Sequence, residues 1–159
     1  MTAKRILSTI ALVVSAAGAA SAQTATQTIT FQIDAINQIA ISGSPSLVIN
    51  TATAGSNPTG ATAAATWAVT TNQTGAKITA SIGSNMPAGL TLSVNVTAPA
   101  GATSAGSLAL STTAVDLVTS ITKLAQGSMA VSYSLSATAA AGVVSSTTRT
   151  VTYTITGGT

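Results

Sequence analysis

The run TRTVTYTIT (Thr148–Thr156) decides the fold class of this chain. Every even-numbered residue in it is threonine, and the odd positions hold Arg149, Val151, Tyr153 and Ile155. Successive side chains of a β-strand point to opposite faces, so the run has one hydroxyl face and one largely apolar face. Threonine, valine, tyrosine and isoleucine also favour a pleated, half-buried surface. The run therefore predicts a strand that closes an all-β fold.

A second stretch near the other end of the chain, Thr24–Ile33, has the same alternation. Threonines occupy its even positions as far as Thr30, and its odd positions include Ile29, Phe31 and Ile33. The pattern predicts a first strand with the same division into a hydroxyl face and an apolar face.

The residues before this stretch have the features of a secretory signal. Lys4 and Arg5 form a short positive region, Ile6–Val14 is apolar, and Ala20-Ser21-Ala22 is an A-x-A cleavage pattern. The apolar run is shorter than the roughly 20 residues of a membrane helix, and no later stretch approaches that length. We therefore expect residues 1–22 to be a signal peptide and residues 23–159 to form one domain. We expect the protein to be extracellular or at the surface of a bacterial cell, with the periplasm as the alternative.

The composition excludes several functions. Charged residues make up 4% of the chain, against about 25% in ordinary soluble domains. Without the signal, the chain has three basic residues and two aspartates, which gives a net charge of +1. Nucleic-acid binding needs clustered lysine and arginine, which the chain lacks. A net charge near zero instead favours association between molecules.

The chain also lacks most catalytic and metal-binding side chains. It has no histidine and no cysteine, and its two acids are Asp34 and Asp116. No Ser-His-Asp triad or zinc site can be built from these residues. A calcium site using both aspartates is a minor alternative to their having turn or backbone-capping roles. The N-x-T triplets at Asn72 and Asn95 are attributed to chance in a threonine-rich chain. We expect no enzyme activity, no cofactor and no metal.

Between the two terminal runs, alternation and turn residues predict further short strands. A lone tryptophan, Trp67, is expected to anchor the core, and Asn72–Gly75 is expected to be a hairpin connection. Two further segments, Leu108–Leu110 and Val115–Ile121, are ambiguous, and the second fits a strand or a helical turn. The predicted strands are Ile36–Ile41 with a bulge at Asn37-Gln38, Ser46–Asn50 as a buried strand, Ala65–Thr71, Lys77–Ile82, Leu90–Val96 and Ser128–Ala137. The predicted loops are Thr51–Ala64, Ala98–Gly106 and Thr138–Ser146.

About seven to nine short strands, turns every 8–12 residues and no convincing helix are typical of an antiparallel β-sandwich. The alternative is a small transmembrane barrel. Such barrels carry aromatic girdles at both membrane interfaces, whereas this chain has one tryptophan, two tyrosines and one phenylalanine. The sequence therefore favours the sandwich.

The A-x-A signal, the alternating TQTITFQI and the final TRTVTYTIT together resemble secreted Ig-like subunits of bacterial surfaces. These include fimbrial and spore-coat-U-type proteins and, more loosely, WxL-type envelope domains. The chain departs from the chaperone-assembled pilins in lacking their cysteine pair, and it has no paired W-x-L motifs. The resemblance implies an Ig-like sandwich and an extracellular structural or adhesive subunit whose N-terminal strand completes a neighbour's sheet.

Edge strands without lysine or proline are templates for another strand, and neither terminal run contains these residues. We therefore expect the two runs to pair within one molecule or between copies or other envelope proteins. The threonine faces are open to three interpretations: a solvated surface, a pairing surface, or an array that binds polysaccharide or ice. The alternative function is a monomeric glycan-binding or adhesin module that binds through its loops. The candidate assembly residues are Thr28, Ile29, Phe31, Ile33, Val151, Tyr153 and Ile155.

Overall fold

The structure is a computed structural model that describes residues 22–159. The predicted signal peptide lies outside the described residues, except for Ala22. The described part of the chain contains nine strands and one short 3₁₀ helix. The strands are β1 (Asn37–Ser42), β2 (Ala61–Thr71), β3 (Ala76–Ile82), β4 (Leu90–Val96), β5 (Thr103–Ser104), β6 (Ser107–Ala109), β7 (Val115–Ile121), β8 (Leu124–Ala137) and β9 (Val151–Thr156). The 3₁₀ helix is Ala139–Ala141, between β8 and β9.

The chain divides into two units, one ending at Gln32 and the other running from Ile33 to Thr159. All nine strands belong to the second unit. The described part of the first unit, residues 22–32, contains no strand, and its side chains are exposed.

The strands form two sheets, in the orders β1-β2-β8-β4-β6 and β5-β7-β3-β9. Every ladder between named strands is antiparallel. The sequence-based prediction of an all-β chain with antiparallel sheets is confirmed, and the two sheets are consistent with a β-sandwich. The longest strand, β8, pairs with both β2 and β4 and is the middle strand of the five-stranded sheet.

The core forms where the alternating apolar positions of the two sheets meet. On β3 every second residue from Ala76 to Ile82 is buried, as the period-two pattern requires. Trp67 is only 2% exposed, and its Nε1 donates a hydrogen bond to the carbonyl oxygen of Thr97 at 3.1 Å. A buried indole N–H needs such an acceptor, so the expectation that Trp67 anchors the core is confirmed.

Two predicted strands are absent from the described chain. Thr24–Ile33 contains no strand, because alternation fixes which side chains share a face but supplies no neighbouring strand to pair with. Ser46–Asn50, which was expected to be a buried strand, is irregular, and Val48 is 68% exposed. A short apolar run without alternation fits a buried strand and a loop equally well. Here the run is a loop, and its Leu47 packs against the core.

The predicted hairpin at Asn72–Gly75 is also wrong. β2 and β3, which this turn joins, belong to different sheets, so the turn crosses between the sheets. The bulge expected at Asn37-Gln38 is absent, since β1 pairs with β2 in continuous register. An irregularity occurs instead where β2 pairs with β8, between Trp67 and Val69. Val115–Ile121 is a strand, and the predicted loop at Ala98–Gly106 contains the two-residue β5.

Candidate assembly surface

The segment Thr24–Ile33, hereafter the N-terminal segment, exposes its apolar face. Ile29, Phe31 and Ile33 are 76%, 87% and 79% exposed. A single exposed apolar side chain is ordinary, but three at period two would share one apolar face if the segment became a strand. The structure therefore places four of the predicted assembly residues, Thr28, Ile29, Phe31 and Ile33, on an exposed segment rather than within a sheet.

The residues that follow the N-terminal segment are held by one side chain, Asn72. Its Oδ1 accepts a hydrogen bond from the Ile36 amide at 2.8 Å, and its Nδ2 donates to the Asp34 carbonyl at 2.7 Å. The Asn72 amide also donates to the Ile36 carbonyl at 3.3 Å. We call these three hydrogen bonds the Asn72 clamp. They fix the chain at Asp34–Ile36 immediately before β1 begins.

The inter-sheet turn that carries Asn72 also holds the chain beyond β9. Thr74 and Thr159 exchange two backbone hydrogen bonds, of 2.9 and 3.1 Å. The Asn37 side chain donates to Gln73 Oε1 at 3.1 Å and accepts from the buried Thr71 hydroxyl at 2.7 Å. The start of β1 and the residues after β9 therefore meet at the same end of the two sheets.

β9 is an edge strand with an apolar inner face. It pairs with β3 on one side and is the last strand of its sheet, so no described strand is hydrogen-bonded to its other edge, and β1 of the other sheet lies nearby. Val151, Tyr153 and Ile155 are half-buried and pack against the core, whereas the threonines between them are exposed. The remaining three predicted assembly residues are therefore together on one open edge, with the alternation that the sequence predicted.

The two sheets are linked at this edge by a pair of tyrosines. The hydroxyl oxygens of Tyr133 on β8 and Tyr153 on β9 lie 2.6 Å apart. Burial raises the pKa of Tyr153 far above its usual value, and the hydrogen bond to Tyr133 raises this pKa further. The pair holds β9 against the five-stranded sheet through a hydrogen bond between the two hydroxyl groups.

The sequence-based reasoning missed the role of Asn72. The N-x-T pattern drew attention to the residue as a chance glycosylation triplet, but both polar atoms of its side chain are bonded to the backbone of Asp34 and Ile36. The only available signal was an Asn in a turn, a residue that commonly bonds backbone groups. Its partners lie 36 and 38 residues away, which a local pattern cannot reveal.

The structure also places the two aspartates that were considered for calcium. Asp116 on β7 forms an ion pair with Lys77 on β3, with a distance of 3.0 Å from Nζ to Oδ1. Asp34 lies in the clamped stretch, where its carbonyl accepts from Asn72. Within residues 22–159, no group of three acidic, histidine or cysteine side chains is placed to hold a metal ion.

Aromatic side chains for sugar stacking are mostly inaccessible. Trp67 and Tyr133 are 2% and 5% exposed. Tyr153 is half-buried, and its hydroxyl is bonded to that of Tyr133. Phe31, on the N-terminal segment, is the exposed aromatic side chain of the described chain. The predicted glycan-binding loops Thr51–Ala64 and Ala98–Gly106 contain no aromatic residue.

Comparisons of this chain with protein-family models, with curated proteins and with solved structures found no match. Within the described residues, no helix has the length and apolar character needed to cross a membrane.

Proposed function

We propose that this protein is a secreted, non-enzymatic structural subunit of an extracellular fibre or surface coat, and that its copies associate through strand pairing. The observation that carries the proposal is the exposed apolar face of Ile29, Phe31 and Ile33. We further propose that the two sheets form an Ig-like sandwich, as the sequence resemblance implies.

The exposed face is energetically important for a protein of this size. Complete burial of one large apolar side chain contributes roughly 1.5–3 kcal/mol, so that of three contributes roughly 5–9 kcal/mol before ordering costs. A segment that stays exposed gives up this energy, and a partner that covers it recovers the energy. Because the chain without its signal carries a net charge of only +1, electrostatic repulsion between copies does not oppose the association.

Pairing with a strand edge also satisfies the polar backbone of the segment. An extended peptide that joins a sheet gains main-chain hydrogen bonds, while alternate side chains enter the core. The N-terminal segment has the alternation that such addition requires, and β9 offers an edge with neither lysine nor proline to block it. Partners under this proposal are thus restricted to proteins with an open edge of the same kind, foremost copies of this chain.

The alternative function, a monomeric glycan-binding or adhesin module, has less support. Protein surfaces that bind sugars commonly stack them on exposed aromatic rings, and the loops proposed for this role contain none. The exposed ring of Phe31 belongs to an alternating apolar run, which fits burial against protein better than contact with a sugar.

The test is the oligomeric state of the chain that begins at Gln23. Size-exclusion chromatography and negative-stain electron microscopy are expected to show species larger than a monomer, which grow as the concentration rises. A strictly monomeric protein at high concentration contradicts the proposal. A monomer that also gives clear hits on a glycan array supports the alternative function.

A further inference from the structure

The two sheets have four edge strands, β1, β6, β5 and β9. β5 and β6 contain two and three residues, too few to pair with the alternating run Thr28–Ile33. β1 and β9 each contain six residues. The choice of acceptor for the N-terminal segment is therefore between these two strands.

The inner faces of the two candidate edges differ. On β9 all three inner positions are apolar and half-buried: Val151, Tyr153 and Ile155. On β1 the first inner position is Asn37, whose amide is bonded to Thr71 and Gln73. An apolar residue placed beside Asn37 gains less than one beside Ile155. β9 is therefore the edge that matches the three apolar side chains of the segment.

An antiparallel register aligns the two runs residue by residue. With Ile33 opposite Val151, Phe31 lies opposite Tyr153 and Ile29 opposite Ile155. Residues directly opposite share a face, so these pairs enter the core while Thr28 and Thr30 extend the outer threonine face of β9. An aromatic pair such as Phe31 with Tyr153 is among the stabilising cross-strand pairs.

A parallel alignment also brings odd residues opposite odd residues, so the side chains alone do not decide the direction. The remainder of the sheet does favour one direction, since β3 is antiparallel to both β9 and β7. Antiparallel pairing is also slightly more stable per residue. These two facts favour antiparallel addition.

The Asn72 clamp prevents a chain from making this antiparallel pairing with its own β9. The clamp holds Ile36 at the end of the sheets where Thr159 bonds Thr74. Thr156 is the residue of β9 nearest this end, because it pairs with Lys77 at the start of β3. Val151 lies at the other end of β9, five residues and about 16 Å from Thr156 at ~3.3 Å per residue. Ile33 is three residues from Ile36 and reaches at most about 11 Å. A chain therefore cannot place Ile33 opposite its own Val151.

We propose that Thr28–Ile33 of one molecule adds antiparallel to the open edge of β9 in a second copy, and that the Asn72 clamp makes this pairing intermolecular. This inference depends on the proposed function and specifies its acceptor, direction and register. Because each copy has one segment to give and one edge to receive, the interface is heterologous, which generates open chains or rings rather than only closed dimers.

The natural absence of cysteine allows a direct test by disulfide formation between single-cysteine variants. Thr28→Cys is mixed in turn with Thr156→Cys, Thr150→Cys and Ser42→Cys, and heterodimers are identified by intact mass after mild oxidation. These partner positions are exposed and lie on β9, directly before β9 or on β1, which keeps their reactivity comparable. They report the antiparallel register on β9, the parallel register on β9, and antiparallel addition to β1.

A disulfide needs Cα atoms roughly 4.4–6.8 Å apart, and Thr150 lies about 20 Å from Thr156 along the chain at ~3.3 Å per residue. We therefore expect the Thr28–Thr156 heterodimer to exceed each of the other two on the order of tenfold. An excess of the Thr150 product overturns the direction, and an excess of the Ser42 product overturns the acceptor. Assembled protein with none of the three products in excess overturns the inference while the proposed function stands. A protein that remains monomeric overturns both.

Discussion

The hydroxyl oxygens of Tyr133 and Tyr153 lie 2.6 Å apart and join β8 of one sheet to β9 of the other. Tyr133 is 5% exposed, so its hydroxyl group has little access to water as a replacement partner. The pair lies at the edge proposed to receive the N-terminal segment. It therefore connects the stability of a single molecule to the shape of the proposed assembly surface.

Tyr153→Phe is expected to lower the free energy of unfolding by about 1–2 kcal/mol, because it leaves the buried Tyr133 hydroxyl without its partner. Denaturant unfolding measures the change. Tyr133→Phe is the matched variant, and the double variant is expected to lose less than the sum of the single losses. Strict additivity would show that the two hydroxyl groups do not interact.

Alkaline pH is expected to destabilise the fold through the same pair. The pKa of Tyr153 is raised by burial and by the hydrogen bond to Tyr133, so the folded state holds this proton more tightly than the unfolded state. The stabilisation is complete below the ordinary tyrosine pKa of about 10 and is lost as pH rises above that value. Unfolding midpoints measured across this range should fall more steeply for the natural chain than for Tyr153→Phe. Equal slopes would contradict the assignment.

Much of the fold follows from alternation because most strands bury one face. The pattern located β4 at Leu90–Val96 and placed Trp67 and Val69 on the buried face of β2, where each is 2% exposed. The same pattern at Thr24–Ile33 did not produce a strand. Alternation depends on the side chains of one segment, whereas a strand also depends on a partner that local sequence does not specify.

Connections between strands were less predictable than the strands themselves. Asn72–Gly75 has the composition of a hairpin turn, yet it joins two different sheets. Turn residues specify a local reversal of the chain and not the sheet that the next strand enters. The Asn72 clamp was unpredictable for a related reason, since its hydrogen bonds to Asp34 and Ile36 depend on how the whole domain folds.

Phe31→Asp is expected to abolish or strongly weaken assembly without reducing stability. The ring is 87% exposed, so the folded body does not depend on it, whereas a buried unpaired carboxylate at an interface is costly. Sedimentation velocity measures assembly, and thermal unfolding measures stability. Val143→Asp is the matched control, since Val143 is fully exposed outside the segment. Equal loss of assembly in both variants would argue against a specific role for Phe31.

Asn72→Ala is expected to lower the free energy of unfolding by about 1 kcal/mol, because it removes two hydrogen bonds at an exposed site. It should also speed proteolysis near Asp34–Ile36, since the chain there loses its side-chain anchor. Limited proteolysis followed by mass spectrometry identifies the cleavage site. Asn95→Ala, at an exposed position of β4, serves as the control. Unchanged cleavage near Ile36 would contradict the clamp.

Assembly is expected to depend only weakly on salt, because the proposed contact pairs apolar and hydroxyl side chains without charges. The Debye length falls from about 30 Å to about 3 Å between 0.01 M and 1 M salt. Light scattering across this range should show little loss of assembled material. Dissociation at high salt would point to an electrostatic interface elsewhere on the surface.

The most direct test of strand-mediated self-association compares the chain that begins at Gln23 with a variant lacking Thr24–Ile33. Both are followed by sedimentation velocity over a dilution series, with thermal unfolding as the measure of folding. Because the segment contributes no strand to the two sheets, the account predicts concentration-dependent assembly of the first protein and a folded monomer for the second. Equal association of both proteins, or a monomer in both cases, would contradict it.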